Sequence, residues 1–185
     1  GKGQEVSTIS EAISTFFARH DWPVDHFDDV DGELGELGGE SDTSPDRVSI
    51  TSVKGANGTW PLVVAIVGFE KQYLVVHSIV PPVAPHGDEV RVLELLARMN
   101  DGLVDGCFEL NFDDGTIRLR SAVPLRSLAL LDVETLTNLV GDVVTSNVSV
   151  ADRFIPALEA VIDNAVAPAI AVAAAEAGLD PTTMG

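Results

Sequence analysis

Apolar residues return along this chain at two different periods, and the changes of period mark its elements. Ile9, Ile13, Phe16 and Phe17 fall at i, i+4, i+7 and i+8, on one face of a helix. Thr8 with Glu11 reads as a capping box, and the helix should end near His20, before Trp22-Pro23. From Val48 the period is two: Val48, Ile50 and Ser52 alternate with Ser49 and Thr51. Asn57-Gly58 then supplies a turn, and Trp60 to Val67 is a nearly continuous apolar run, as an interior strand requires. Glu70-Lys71-Gln72 turns the chain into Tyr73 to Val80, which Pro81-Pro82 stops. Three antiparallel strands in a meander follow from short connections.

The helical period returns at Val92, Leu95, Leu96 and Met99, with Arg91, Glu94 and Arg98 on the other side, Asp88 as cap and Gly102 at the end. A hairpin comes next. Phe108, Leu110 and Phe112 alternate with Glu109 and Asn111, and Ile117, Leu119 and Val123 with Arg118, Arg120 and Ala122. A two-residue Asp114-Gly115 loop would set Phe112 against Ile117, Leu110 against Leu119 and Glu109 against Arg120, pairing apolar with apolar and opposite charges with each other. Leu136, Leu139, Val140, Val143 and Val144 predict a helix after Asp132. Phe154, Leu158, Val161, Ile162 and Ala165 predict another, with Pro156 in its first turns.

The expected order is α-βββ-α-ββ-αα. Strands arrive in groups rather than alternating with helices, so the fold class is α+β, an antiparallel sheet of about five strands packed by helices, rather than a doubly wound nucleotide-binding fold. Residues 1–167 form one domain. Residues 168–185 form an alanine-rich C-terminal helix and tail that frays from Gly178. Between Asp25 and Asp46 the composition shifts to nine acidic residues and four glycines, which predicts an exposed, mobile loop with at most a short strand near Val24 to Val30.

Composition narrows the function. The 185 residues carry 29 acidic and 11 basic side chains, a net charge of −18, so a phosphate backbone or an anionic membrane surface would be repelled. Neither nucleic acid nor membrane is an expected partner. The strongest apolar run, Pro61 to Phe69, is too short to span a bilayer, and with no secretory signal visible the location is expected to be cytoplasmic. Cys107 is the single cysteine and reads as a small buried hydrophobe.

Particular residues carry a family resemblance: the Trp60-Pro61-Leu62-Val63-Val64 strand, the Pro81 and Pro82 break, Leu96-Ala97-Arg98-Met99-Asn100 with Leu103, Gly106-Cys107-Phe108-Glu109-Leu110, and Asp114-Gly115-Thr116-Ile117-Arg118. Across roughly residues 5 to 165 the chain resembles the bacterial YbjN family of sensory transduction regulators, whose fold is similar to type III secretion chaperones. Asn100, Leu103, Gly106 and Phe108 are the most specific part of that likeness. The resemblance implies a compact helix-on-sheet domain that pairs with itself as a homodimer and binds a protein or peptide of the chaperone-like or regulatory adaptor type, and it carries no catalytic residues. The bland physical reading gives Asn100 a backbone hydrogen bond near a helix end and Gly106 a left-handed conformation or a close chain approach.

No cofactor motif and no catalytic constellation stands out, so no enzyme activity is expected. Gly32, Gly35, Gly38 and Gly39 fit neither phosphate-loop nor dinucleotide spacing. His20, His26, His77 and His86 include no i, i+4 pair that could share a metal; His20 and His26 flank Asp21 and Asp25, and His77 should be packed in its strand. The alternative to a protein-binding role is a ligand or calcium sensor. Asp29, Asp31, Glu33 and Glu40 occupy positions 1, 3, 5 and 12 of an EF-hand-like loop, but Leu34 stands where that loop needs glycine. Arg118 and Arg120, with Arg126 nearby, suggest a small anion-binding patch, against which stands the simpler reading of cross-strand salt bridges to Glu109. Asn57-Gly58-Thr59 and Asn147-Val148-Ser149 match glycosylation acceptors, though Asn57 is better explained by its turn.

Overall fold

A computed structural model describes residues 2–28, 47–67, 73–126, 128 and 130–183. In chain order the elements are α1 (Lys2–Arg19), β1 (Asp25–Asp28), β2 (Arg47–Lys54), β3 (Thr59–Val67), β4 (Tyr73–Ile79), α2 (Glu89–Asn100), β5 (Cys107–Leu110), β6 (Ile117–Pro124), α3 (Val133–Ile162) and α4 (Pro168–Ala177), then a 3₁₀ turn at Pro181–Thr183. The strands form one antiparallel sheet in the order β1-β2-β3-β4-β6-β5, so the class is α+β. The short strand allowed near Val24 to Val30 is β1, which raises the count from about five to six. It pairs with β2 through Asp25↔Ile50 and Phe27↔Val48.

The chain divides into two compact units, the first made of residues 1–52, 62–76 and 122–145 and the second of 53–61, 77–121 and 146–185. In the first, Ile9, Ile13, Phe16 and Phe17 are buried on the face their spacing predicted. Helix α1 begins at Lys2, so Thr8 lies inside it and the expected capping box is not a cap. Extending a formed helix adds one hydrogen bond per residue fixed, so it outruns a local cap signal. Gly141 of α3 lets the Phe16 ring come close; a Cβ there would lie 3.3 Å from it. Asp132 starts α3 as expected, its carboxylate accepting from the Thr135 backbone N–H at 2.9 Å.

The second unit contains Trp60, Phe108, Ile117, Leu119, Phe154, Ile155 and Leu158, all buried, with Phe108 edge-on to Phe154 at 5.7 Å. Helix α2 buries Val92, Leu95, Leu96 and Met99, as its stripe predicted. The expected Asp88 cap makes no side-chain bond to the helix backbone; its carboxylate pairs with Arg91 at 3.0 Å instead. Arg91 also donates to the Val161 carbonyl in the last turn of α3, a turn with no basic residue of its own.

Two expected helices are one. Helix α3 runs unbroken through Pro156. Proline lacks the N–H that would bond the Asp152 carbonyl four residues back. That carbonyl accepts from Asn57 Nδ2 at 3.0 Å instead, and the Asp152 carboxylate accepts from the backbone N–H groups of Ala56 and Asn57 at 3.1 and 2.8 Å. The β2–β3 turn thus supplies a partner for the carbonyl that the proline orphans. The tail also differs: α4 ends in a left-handed Gly178, with the Leu179 N–H bonded to the Ala174 carbonyl at 2.9 Å, and the chain continues into the 3₁₀ turn with Pro181 buried rather than fraying from Gly178.

The β5–β6 register is shifted by two residues from the expected one. Phe108 faces Leu119, Glu109 faces Arg118 and Leu110 faces Ile117. Asn111 Oδ1 accepts from the Asp113 N–H and Asp114 Oδ1 from the Thr116 N–H, which builds a longer turn closed by Asn111 and Thr116. Because the shift is an even number, every side chain keeps its face; Phe112 alone is carried out of the ladder and lies 59% exposed.

Candidate functional site

The polar face of the β5–β6 hairpin carries a charged row. Glu109 accepts from Arg118 Nε at 2.8 Å and from Arg120 Nε at 2.6 Å, which matches the salt-bridge reading made from the sequence. Burial pushes the Glu109 carboxyl up, and hydrogen bonds from Arg120 and Arg118 outweigh it, holding the group below the ordinary carboxylate range. Cys107 stands across from Arg120. Cys107 is half-buried rather than the buried hydrophobe expected, and burial is the chief cause that pushes its thiol up. Arg126 falls beyond Pro124, the last residue of β6.

His77 shares this face. The Val80 N–H bonds the Ile117 carbonyl at 3.1 Å, and three residues along each antiparallel strand from that pair His77 stands across from Arg120. Its side chain is 1% exposed, and among the described residues its buried Nδ1 has no hydrogen-bond partner. Burial first, then the Arg118 charge, lowers its pKa to about 4, so the ring is neutral at pH 7.

The opposite face holds a buried polar chain. Trp60 Nε1–H donates to Ser78 Oγ at 3.0 Å, Ser78 Oγ–H donates to Asn147 Oδ1 at 2.7 Å, and Asn147 Nδ2 donates to Ser121 Oγ at 3.0 Å and to the Leu119 carbonyl at 3.2 Å. Asn147 therefore ties α3 to β4 and β6 directly, and through Ser78 to Trp60 of β3. In the sequence it read only as a glycosylation acceptor; a polar residue in the core-facing part of a long helical pattern was the available signal.

The Asn100 and Gly106 readings are both realised. β5 lies at the sheet's edge, and Asn100 caps it like a missing strand: the Phe108 N–H donates to Asn100 Oδ1 at 2.7 Å, and Asn100 Nδ2 donates to the Phe108 carbonyl at 3.1 Å. Gly106, at φ +87°, lets β5 begin against Arg120, whose carbonyl oxygen would lie 2.7 Å from any Cβ.

Helix α2 turns a second apolar line to solvent. Val90, Leu93 and Ala97, at i, i+3 and i+7, are exposed, Val90 to 82%. Around it Asp88, Glu89, Glu94 and Asp101 outnumber Arg91 and Arg98. A half-open cleft of about 570 Å³ lies elsewhere in the second unit, lined in part by Asn57, Arg153, Glu159, Asn164, Asp180 and Thr182. Its lining mixes one cation with two carboxylates and converges on no single chemistry.

Of the other residues picked from the sequence, Asp29, Asp31, Glu33 and Glu40 lie outside the described residues, as do most of the acidic segment and the Glu70-Lys71-Gln72 turn. His20 and His26 have separate surroundings: the His20 ring lies tilted against Phe16, with centroids 4.8 Å apart, and His26 Nδ1 shares a hydrogen bond with Ser49 Oγ at 2.8 Å. His86 pairs with Glu89 at 2.9 Å. Among the described residues no group of three or more His, Cys, Asp or Glu side chains is placed to hold a metal ion. None of the described helices is long and apolar enough to cross a membrane.

An antiparallel sheet with helices, a carboxamide-capped edge and a shielded charged row define an α+β domain. A family model described as "Putative bacterial sensory transduction regulator" matches residues 10–160. The chain belongs to that family, YbjN. No curated protein matches the chain.

Proposed function

We propose that this protein is a non-enzymatic regulatory adaptor that binds a basic amphipathic helix of another protein along the exposed face of α2. The observation that carries the reading is the Val90, Leu93 and Ala97 line on a helix whose opposite stripe is already buried. A helix laid along it would cover those residues with its own i, i+3 and i+7 side chains. Charge chooses the occupant: four carboxylates against two guanidinium groups surround the line, on a chain of net charge −18, so Lys and Arg flanks are attracted and acidic ones repelled. The family's description as regulators supports a binding role of this kind. A second copy of this chain, the homodimer the resemblance implies, would set like charges against each other on this face.

Nuclear magnetic resonance with two model helices tests the reading, one of leucine and lysine and one of leucine and glutamate. The basic helix should shift Val90, Leu93 and Ala97, and Leu93→Asp should abolish the shifts while leaving stability within about 0.5 kcal/mol of wild type, as expected for a surface position. Equal binding of the acidic helix, shifts mapping elsewhere, or a sedimenting dimer that Leu93→Asp dissociates would each overturn it.

A further inference from the structure

The charged row of the β5–β6 hairpin is only half used by its own carboxylate. Glu109 engages both arginines through Nε–H alone. One terminal nitrogen of Arg120 reaches Cys107 Sγ at 3.6 Å; among the described residues the others of Arg118 and Arg120 have no acceptor. Two guanidinium forks are thus pinned at their bases and open at their ends. Two cations and one carboxylate leave this row at +1 within a chain of net charge −18. Arg118 is only 24% exposed and Arg120 41%, so an anion here would be partly withdrawn from water and from the screening that weakens fully exposed pairs. His77, in the same row across from Arg120, brings a buried imidazole whose Nδ1 has no partner among the described residues.

We propose that Arg118 and Arg120, held apart and oriented by Glu109 and with His77 beside them, form a binding site for a small oxyanion of the phosphate class. Guanidinium forks match the oxygens of such an anion, and charge-assisted bonds of this kind are the strong ones. Prior orientation by Glu109 lowers the ordering entropy that free arginine side chains would lose on binding. A dianion exceeds the row's single net charge, and the neutral ring of His77 can take up a proton as it binds. Burial is the first cause of that neutrality; the charged groups acting on the ring are Arg118, Arg120 and Glu109, and an added anion offsets the part the two arginines contribute.

The test follows the arginine Nε–H and His77 ring signals of the full chain while inorganic phosphate replaces chloride at constant ionic strength. Saturable shifts at Arg118 and Arg120, with the His77 pKa rising from about 4, are expected. Arg118→Gln should weaken binding about tenfold, the loss of one charge-assisted bond. Should that variant fail to fold, Arg118→Lys keeps the charge without the fork, and weaker but measurable binding is expected. Shifts that chloride reproduces, that never saturate or that map away from the hairpin would overturn the proposal. Binding of a phosphoserine peptide without binding of inorganic phosphate would overturn it in favour of a protein-borne anion.

Discussion

Asn147→Ala is the sharpest test of how α3 is held to the sheet. Asn147 is 1% exposed, accepts from Ser78 and donates to Ser121 and Leu119. Alanine leaves the Ser78 hydroxyl without that acceptor and the Leu119 carbonyl without that donor, in a place water reaches poorly. Each buried group so stranded costs roughly 1–3 kcal/mol, and the vacated volume adds to it. Since Ser121 and Ser78 hydroxyls can rotate to recover part of the loss, about 3 kcal/mol is expected. For a domain of this size that is a fall in Tm of about 6–12 °C. Thermal and urea unfolding, followed by the fluorescence of Trp22 and Trp60, measures it. Ser78→Ala strands the Trp60 N–H in the same chain, so the two substitutions together should cost less than their sum by roughly 1 kcal/mol. A fall of under about 2 °C for Asn147→Ala, or strict additivity in the cycle, would refute the claim that these groups act as one network.

His77 gives a pH prediction. Its folded pKa of about 4 lies below the ordinary value of 6.5, so between those pH values the unfolded chain binds the proton and the folded one does not. Stability contributed at neutral pH is lost as pH falls through that window, by about 2 kcal/mol between pH 7.5 and pH 5. Urea midpoints at the two pH values should show that loss in the wild type and a smaller one in His77→Leu; equal losses would show that another group governs it. Asn100→Ala uncaps the edge of β5 and should cost about 1–2 kcal/mol. Hydrogen exchange at the Phe108 amide should quicken more than at Leu119 on the neighbouring strand, and an unchanged Phe108 rate would show that the carboxamide does not hold the edge.

Much of this architecture was legible because burial imposes a period. The α2 stripe of Val92, Leu95, Leu96 and Met99, the interior strand after Trp60 and the buried Leu119 all follow from which side of an element must leave water. What misled was local chemistry read in isolation. Asp114-Gly115 suggested a two-residue loop, but the side chains of Asn111 and Asp114 bond the turn backbone and lengthen it. Pro156 suggested a helix start; Asn57, nearly a hundred residues away in sequence, takes the carbonyl the proline cannot serve. The Arg118 and Arg120 bridges to Glu109 were visible because a two-residue slip preserves the sheet face, and their sharing of one carboxylate depended on the final register.

By itself the sequence determined most of the elements, their buried faces, the α+β class and the excess of acid, because each follows from local periodicity or from a sum of charges. Tertiary structure alone decided that Asn100 stands in for a strand at Phe108, that Asn147 joins Trp60, Ser78 and Ser121, and that His77 stands beside Arg120. All but the first of those pairings unite residues far apart in the chain. A hydrogen bond or an ion pair depends on distances of a few ångströms, which no one-dimensional pattern encodes until the sheet order and register are set.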